Sequence, residues 1–598
     1  MEQKRFFLAL ILSAAILLVW QLFFAPPSSD STNQPQTAAS ASPSPFVNLP
    51  APSSPAPAAA AANNASPQRT ITIQSPLYEV KIDTQGAVPI SWVLKQNKEN
   101  GRPIFSASST KDDRHPLQLI APEGLAQQPR QAPLRFASND AALENYANGG
   151  IYNVEGVEAA EPDPIITLSG SEQKHLTFTL RDESTGIVVT KGFTFDANNY
   201  NIGFAAAINK NNQPLPDVQL AIGPNIGDQS ITAYSMYAVA PEAVYAVNGE
   251  SDRVTSAEIF ENDETPGINR INNRVDWAAV GDTYFAMAAV PGNPFNGITL
   301  RSSKYEHEVN GTKEDRYLVT SYVPVPAEGI NARLYVGPKD HSLLVAASSQ
   351  ISEAVKRPVD LDGLIDYGWF SSLLRPLAIP ILYAIRNLSE IAQSYGVGII
   401  IFTVILYSLF FPLKWRSSKA MKRAQKLAPR MKEIQEKIKG LKPDDPKLKE
   451  LQMEQFRLMK EGNMLGGCLT LLIQMPFFFA LYKAITISLD FRQAEFLWLP
   501  DLSAPDPYHL LPILMAASIL VVQLVTPAPS ADPLQRKMMA FMVPAIMLYV
   551  LWSAPSALLV YWFMGNVILF AQQMIINRLL KSDDEKQESE GDLPLVRV

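Results

Sequence analysis

Residues 396–413 read GVGIIIFTVILYSLFFPL, and residues 414–423 directly after them read KWRSSKAMKR. The first stretch carries no charge, and as an α-helix it is long enough to cross most of the hydrocarbon layer of a bilayer. The second stretch is strongly basic, and it stays in water because a charged side chain at the bilayer centre costs at least about 2.5–3.5 kcal/mol. The junction predicts a transmembrane helix that ends at a basic, water-exposed segment.

Four further apolar stretches follow at 464–489, 508–525, 538–552 and 558–580. The last two are separated by Ser553-Ala554-Pro555-Ser556, and a proline at this point predicts a tight helical hairpin. With another apolar stretch at 6–24, the sequence has six candidate spans. We therefore predict a multi-spanning α-helical membrane protein with six transmembrane helices, five of which form a core at 396–580.

The N-terminal stretch at 6–24 follows Lys4 and Arg5 and ends in the bulky Leu22-Phe23-Phe24. A cleaved signal peptide has a shorter apolar core, of about 7–15 residues, and a small-x-small cleavage site. We expect an uncleaved transmembrane anchor at 1–24, with a cleaved signal as the alternative. Residues 25–68 are almost wholly Pro, Ala, Ser, Thr, Asn and Gln. They offer too little apolar area to pack, so we expect a disordered linker.

From residue 69 apolar and polar residues alternate, so that the hydrophobic pattern repeats every two residues. Pairs such as Ile71/Ile73 and Phe193/Phe195 alternate with polar residues, and turn clusters such as Asp196-Ala197-Asn198-Asn199 separate the runs. This pattern is typical of half-buried strands. We expect an antiparallel β-sandwich at 69–350.

The composition changes again after residue 360. Residues 369–388 read WFSSLLRPLAIPILYAIRNL, in which two Arg and two Pro interrupt the apolar residues. A helix that lies along the membrane surface accommodates such charges better than a helix that crosses the membrane. We expect an interfacial amphipathic helix at 366–392.

Basic residues indicate the orientation of the chain. Residues 414–462 hold fifteen Lys and Arg against seven Asp and Glu, and Arg536 and Lys537 precede the apolar stretch at 538–552. By contrast, 490–507 holds a single basic residue, Arg492. By the positive-inside rule the two basic loops are cytoplasmic. Both termini then lie in the cytoplasm, including a tail at 581–598, and residues 25–395 lie in the periplasm. We expect a multi-pass protein of the inner membrane.

The basic loop at 414–462 has a helical pattern of its own. Apolar residues recur at alternating steps of three and four from Ala424 to Leu441, a turn with two prolines follows, and 447–460 predicts a second helix. We expect a basic cytoplasmic helical hairpin. Two interpretations stay open: a solvated charged hairpin, or a docking site for a ribosome, RNA or an acidic protein. The docking candidates are Lys419, Lys422, Arg423, Lys426 and Arg430.

Other function classes find little support in the sequence. The chain of 598 residues has one cysteine, Cys468, which excludes an intrachain disulfide, and no metal-ligand spacing is present, so we expect no metal and no cofactor. A mutarotase-like sugar epimerase on a membrane anchor would need a convergent acid–base pair, and His115, His175, His307 and His341 stand in no motif. A solute transporter would show internal repeats, and none is visible. We expect no enzymatic activity, and these two classes are the alternatives.

Several short strings occur in order in the last part of the chain: DYGW at 366–369, FPL at 411–413, LGGC at 465–468, LIQMP at 472–476, FRQA at 491–494, DLSA at 501–504, DPY at 506–508 and LPILM at 511–515. Asp532-Pro533 and Pro555-Ser556 complete the series. On these strings the chain resembles the YidC/Oxa/Alb family of membrane protein insertases, in its long Gram-negative form. KGFTF at 191–195, Tyr284-Phe285 and Gly337-Pro338 resemble the first periplasmic domain of that family.

This resemblance implies an insertase and chaperone for nascent membrane proteins, acting with or without the Sec translocon. It also implies a supersandwich fold for the periplasmic domain and a five-helix core with a polar groove. The groove would lower the cost of moving polar flanks of a substrate through hydrocarbon, where each unsatisfied polar group costs several kcal/mol. The groove candidates are the polar residues within spans: Thr403, Tyr407, Ser408, Gln474, Lys483 and Asn566. Gln523, Gln572 and Gln573 fit better as polar residues at helix ends. The ribosome, through the basic hairpin, and the lipid bilayer are further expected partners, and DNA is not.

The chain departs from the family pattern at two candidate groove positions. Tyr407 stands where the family usually has an arginine, and Lys483 stands where it usually has a tyrosine. We therefore hypothesise that the Lys483 ammonium lies in the groove near the Tyr407 hydroxyl. The alternative is that Lys483 extends to the periplasmic headgroups.

Overall fold

A computed structural model describes residues 67–158, 162–215, 217–231, 234, 239–262, 265–309, 312–368, 370–439, 441, 446–461, 464–526 and 533–591. The predicted anchor at 1–24 and nearly all of the predicted linker at 25–68 lie outside these residues. The described chain consists of a β-rich part, followed by a helical part.

The β-rich part contains two sheets. The smaller sheet has five strands in the order β4-β3-β2-β1-β7. These strands are β1 Thr70–Gln74, β2 Tyr78–Asp83, β3 Val88–Leu94, β4 Leu117–Gln118 and β7 Ile165–Thr167.

The larger sheet has fourteen strands, with the main order β5-β12-β18-β17-β15-β16-β19-β10-β9-β8-β6. The strands on this path are β5 Phe136–Ser138, β6 Asn153–Glu155, β8 Gln173–Asp182, β9 Ile187–Asp196, β10 Asn201–Lys210, β12 Val218–Ile222, β15 Ile268–Gly281, β16 Phe285–Pro291, β17 Phe295–Val309, β18 Thr312–Pro324 and β19 Ile330–Pro338. Beside it lie β11 Gln213–Pro214, β13 Glu242–Val247 and β14 Glu250–Thr255.

Aromatic side chains fill the space between the two sheets. The Phe195 ring on β9 lies 6.4 Å from the rings of both Tyr78 and Trp92 in the smaller sheet, measured between centroids. Phe193, two residues earlier on the same face, stacks 5.9 Å from Phe195 and meets Phe204 edge-on at 5.1 Å. The predicted alternation is therefore present as a buried row along β9, and the prediction of a β-rich domain is confirmed.

Two features of this part differ from the expectation. β1 pairs with β7 in parallel, because the chain returns to the edge of the smaller sheet after passing through β5 and β6 of the larger sheet. Three helices also interrupt the strands, α1 Pro122–Leu125, α2 Ala141–Gly149 and α3 Ser256–Phe260, and a fourth, α4 His341–Val355, follows β19. α4 begins where the Asp340 carboxylate accepts hydrogen bonds from the backbone N–H groups of Ser342 and Leu343, which caps the helix. The expected sandwich at 69–350 did not include this helix.

The helical part begins after a short 3₁₀ turn at Asp362–Leu364. Its helices are α5 Ser371–Ala392, α6 Tyr395–Lys439, α7 Pro446–Glu461, α8 Met464–Ile487, α9 Leu510–Val525, α10 Pro533–Val550 and α11 Ser556–Gly591. A second 3₁₀ turn, Leu489–Phe491, follows α8. α6 passes from the apolar stretch into the basic segment without a break, whereas the sequence suggested separate elements.

Two of the described helices are long and apolar enough to cross a membrane, at Tyr395–Ile438 and Ser556–Leu580. Shorter apolar stretches lie at Met475–Ile487, Leu510–Val525 and Lys537–Val550. α5, the predicted interfacial helix, buries Leu374, Ile381 and Ile385 on one side and exposes Leu373 and Ile391. The prediction of a helical C-terminal part is confirmed.

We expect Phe193→Ala to destabilise the β-rich part by about 3–5 kcal/mol, because truncation leaves a cavity among buried rings. The measurement is the urea dependence of protease resistance of this part in the full chain in detergent. Ile165→Ala, at a side chain that is 63% exposed on β7, is the control and should change stability by less than about 0.5 kcal/mol. Equal effects of the two substitutions would contradict the packing described here.

Candidate functional site

Tyr407 lies buried on α6, facing α11. Its ring centroid is 6.3 Å from that of Tyr561, and its hydroxyl lies over the backbone of Gly565. A Cβ at position 565 would come within 2.5 Å of the Tyr407 oxygen. The glycine therefore makes room for a phenol between two apolar helices.

Two glutamines on α11 extend this polar contact along α6. The Gln572 side-chain amide donates to the backbone carbonyl of Tyr407 at 2.9 Å, and the Ser418 hydroxyl donates to Gln573 Oε1 at 3.3 Å. Gln573 also donates to Asn577 at 2.8 Å. From the sequence we expected these glutamines to be helix-end polar residues, but the structure buries both against α6. Their helix continues beyond residue 580, so they do not lie at its end.

Asn566 links α11 to α9 in the same way. Its amide donates to the Ser518 hydroxyl at 2.8 Å. Tyr407, Ser418, Asn566, Gln572 and Gln573 are buried, and Ser518 is half-buried. We call these six residues the polar seam, because their side chains join α6, α9 and α11. Ser418 and Ser518 are members that the sequence reasoning did not single out, and their spacing from other polar residues gave no signal.

The other predicted groove residues lie apart from these contacts. Thr403 is fully buried, but its hydroxyl donates to the Ile399 carbonyl of its own helix at 2.6 Å. Ser408 is exposed and Gln523 is half-buried. The side chain of Gln474 lies outside the part of the chain that the structure describes.

Lys483 has a partner that the sequence did not suggest. Its ammonium donates to Asp366 Oδ2 at 2.8 Å, and its Cε lies near Gly368, whose φ of +82° lets the chain turn tightly there. The hypothesis that Lys483 lies at the Tyr407 hydroxyl was wrong, since the side chain extends instead to the segment that precedes α5. Burial alone would raise the pKa of Asp366, but the charge of Lys483 and its hydrogen bond outweigh burial and lower that pKa.

A second charged contact joins the β-rich part to the helical part. Arg386 on α5 donates to Asp490 Oδ2 from Nε at 2.9 Å and from Nη2 at 2.7 Å. It also donates to Asp340 at 2.9 Å and to Glu99 at 2.6 Å. We call these four residues the Arg386 cluster. Arg386, Asp340 and Asp490 are buried at the junction, and the Glu99 side chain, which is 23% exposed, lies at its edge. One guanidinium thus connects α5, the β-rich part and the turn after α8.

Arg492, two residues after Asp490, makes a similar connection. Its guanidinium forms an ion pair with the buried Asp228 and donates to the Phe105 carbonyl at 3.0 Å. Gln493 donates to the Ser106 carbonyl at 2.8 Å. The turn after α8 is therefore held by the β-rich part at several points.

The basic segment forms a helix pair. Met431 and Ile434 on α6 bury against Leu458 on α7, and Arg430 Nη2 lies 3.0 Å from Glu454 Oε1. Of the docking candidates, Lys419, Arg423, Lys426 and Arg430 are exposed and Lys422 is half-buried. They recur on α6 at helical spacings of three and four residues, so they share one face of this helix and give it a dense positive charge.

Comparisons with known proteins place this arrangement in a family. The family model described as YidC periplasmic domain matches residues 70–380, and the model described as 60Kd inner membrane protein matches residues 387–585. The chain is 31% identical to the membrane protein insertase YidC of Geotalea uraniireducens over 97% of this chain and 100% of that protein. The chain belongs to the YidC family.

A second relative agrees with this assignment. The membrane protein insertase YidC of Geotalea daltonii is 30% identical over 97% of this chain and 99% of its own length. Among solved structures, that of an active YidC insertase with its first transmembrane domain resolved aligns with 85% of this chain and 94% of that chain, at 16% identity and a TM-score of 0.31. The assignment rests on the family models and the curated relatives. The β-rich part is thus the periplasmic domain of a YidC-family inner-membrane protein.

The Arg386 cluster should make the stability of the YidC-family chain depend on pH. Burial, and next the neighbouring Asp340 carboxyl, raise the pKa of Glu99 from 4.5 to about 7, although Arg386 acts in the opposite direction. The folded protein therefore binds more protons than the unfolded one between these values, and stability falls as the pH rises from 4.5 through about 7.

We expect Glu99→Gln to remove this fall, because the amide does not titrate. The measurement is the Tm of the full chain in detergent across this pH range, beside the exposed control Glu353→Gln, which should keep the slope of the parent. An unchanged slope in Glu99→Gln would assign the pH dependence to other groups.

Proposed function

We propose that the chain inserts and folds integral membrane proteins in the inner membrane, and that the polar seam is the path that substrates use. The observation that supports this best is the match to membrane protein insertases along nearly the whole chain. Insertase activity also fits the polar seam, which places hydroxyl and amide side chains between apolar helices.

The seam suits this task for a physical reason. A segment that enters the bilayer brings polar flanks, and each unsatisfied polar group in hydrocarbon costs several kcal/mol. The side-chain amides of Asn566 and Gln572 can exchange their present hydrogen bonds for bonds to such a flank, and the Tyr407 hydroxyl beside them can bond to it as well. The exchange of one hydrogen bond for another changes the free energy little, so the segment can move on.

The topology that we propose has six spans, with the anchor at 1–24 and the core at 396–580. The periplasmic domain at 69–350 and the interfacial helix at 366–392 lie on one side. The helical hairpin at 414–462 and the tail at 581–598 lie in the cytoplasm. The excess of basic residues at 414–462 supports this orientation.

The hairpin is our candidate for docking of the ribosome, and the Sec translocon is a candidate partner in the membrane. The exposed Lys419, Arg423 and Lys426 support the first proposal, since a polyanion binds through many such contacts. The alternative is that these cations only keep the hairpin soluble.

Reconstitution tests the proposed activity most simply. The full chain in liposomes should insert a short membrane protein synthesised in their presence, as judged by protection of its translocated segment from added protease. Liposomes without the chain are the control. If the translocated segment is protected equally with and without the chain, the result contradicts the proposed insertase activity.

We expect Tyr407→Phe to slow insertion of a substrate with a polar flank about two- to tenfold, the effect of about one lost hydrogen bond. A substrate whose flank is short and apolar should be inserted at the parent rate, because it does not need the hydroxyl. Tyr549→Phe is the matched control, since Tyr549 is 85% exposed on α10. If both substitutions slowed both substrates equally, the seam would have no special role.

We expect charge reversal at Lys419, Arg423 and Lys426 to weaken ribosome binding and to reduce its salt dependence. Each lost phosphate contact should lower the slope of log K against log salt by about one. The measurement is cosedimentation of the detergent-solubilised chain with ribosomes over a salt series, with reversal of Lys81, Arg181 and Lys210 in the periplasmic domain as the control. If ribosome binding by the parent does not change with salt concentration, the result favours the interpretation of a solvated charged hairpin.

A further inference from the structure

A cavity of about 280 Å³ lies at the junction between the periplasmic domain and the turn after α8. Its walls come from 97–105 and Arg114 on one side and from 489–493 on the other. Three of the lining residues are arginines: Arg102, Arg114 and Arg492. We call this space the arginine cavity, and nothing in the contacts of the polar seam involves it.

Two of these guanidinium groups are held in place by aromatic rings. The Arg102 guanidinium carbon lies 4.6 Å from the ring centroid of Tyr395, and that of Arg114 lies 5.1 Å from the ring centroid of Phe105. Among the residues that the structure describes, neither group forms an ion pair with a carboxylate. Stacking of this kind orients a guanidinium while it leaves the N–H groups at its edge available to a ligand.

The third arginine carries an unused donor. Arg492 is buried, and its Nη2 already serves Asp228 and the Phe105 carbonyl. Its Nε is buried and has no hydrogen-bond partner among the described residues. Its ion pair and its carbonyl acceptor fix this guanidinium in the cavity wall, beside the two arginines that are held by rings.

The charge in the arginine cavity is positive overall. Asp490 is the one acidic residue among its described lining residues, and its oxygens already accept from Arg386, from the Tyr395 hydroxyl at 3.3 Å and from the Asn100 amide at 3.2 Å. The amide of Gln493 is held by the Ser106 carbonyl. An anion with several acceptor oxygens is the ligand that fits three guanidinium groups.

We infer that the arginine cavity binds a negatively charged phosphate group, either the headgroup of an anionic phospholipid or a soluble phosphate ester. The cavity lies beside Tyr395, the first residue of α6, and just beyond Ile487, the last residue of α8. In the topology of the proposed function, on which this placement rests, these positions are at the periplasmic surface of the bilayer. That location favours phosphatidylglycerol as the source of the phosphate.

The test is native mass spectrometry of the full chain in detergent, after exchange into equal amounts of phosphatidylglycerol and phosphatidylcholine. The parent should retain phosphatidylglycerol in preference. The double variant Arg102→Gln/Arg114→Gln should bind it at least about tenfold more weakly, because two charge-assisted contacts are lost. Both side chains are exposed, so the variant should fold, and its circular dichroism and elution volume check this.

The matched control is Arg181→Gln/Lys210→Gln, which removes the same charge from exposed positions. The turn between β9 and β10 lies near the arginine cavity, since Lys98 donates to the Asn198 carbonyl at 2.7 Å. Arg181 on β8 and Lys210 on β10 pair with Val188 and Ile187 at the opposite end of β9, about 25 Å away at the rise of a β-strand. The control should bind phosphatidylglycerol like the parent.

Glycerol phosphate supplies the soluble arm of the experiment. If glycerol phosphate binds the parent as tightly as phosphatidylglycerol does, and the Arg102/Arg114 variant no longer binds it, the site takes a soluble ester. If only the lipid binds, the site takes a headgroup. Undiminished binding in that variant, or equal loss in the control, overturns the inference. Binding is read without any insertion reaction, so such a failure leaves the proposed function standing.

Discussion

The rest of the structure depends on the requirement that the buried Arg386 be matched by carboxylates. An arginine removed from water without partners would cost several kcal/mol, and the partners here come from three separate stretches of chain. Asp340 caps α4 at the end of the periplasmic domain, Glu99 lies in a loop beyond β3, and Asp490 lies in the turn after α8. Because all three must converge on one guanidinium, the periplasmic domain, α5 and the end of α8 have one mutual arrangement.

The same principle operates in the helical core with neutral groups. Polar side chains that lie between apolar helices must find one another, and they do so along α6, α9 and α11 as the polar seam. Small residues allow the helices to approach closely enough. Gly565 leaves room for the Tyr407 hydroxyl, and Gly398 lies against Ser389 of α5. In the described residues, the contacts at the junction are charged and those of the polar seam are neutral, and the proposed insertase path uses the neutral ones.

Much of this could be predicted from the sequence, because hydrophobic periodicity is a local signal. The alternating residues along β9, the basic segment after 413 and the strings shared with the insertase family identified the domain types and the family. Partners in space carry no local signal. Nothing near Lys483 in the sequence indicates that it meets Asp366, and Arg386 gave no sign of its three carboxylates. Gln572 and Gln573 were placed at a helix end because the helix was expected to stop near residue 580, whereas α11 continues to Gly591.

If the Arg386 cluster joins the periplasmic domain to the core, its charged residues should stabilise the chain as one unit, which a double-mutant cycle measures. The Tm and urea midpoint of the full chain in lipid nanodiscs would be measured for Arg386→Met, Asp340→Asn and the double variant, because Asp340 is the partner that belongs to the periplasmic domain and asparagine can still cap α4. Each single change should destabilise the chain by about 3–5 kcal/mol, and the double variant should be destabilised much less than the sum of the two. Effects that add to within about 0.5 kcal/mol would contradict it.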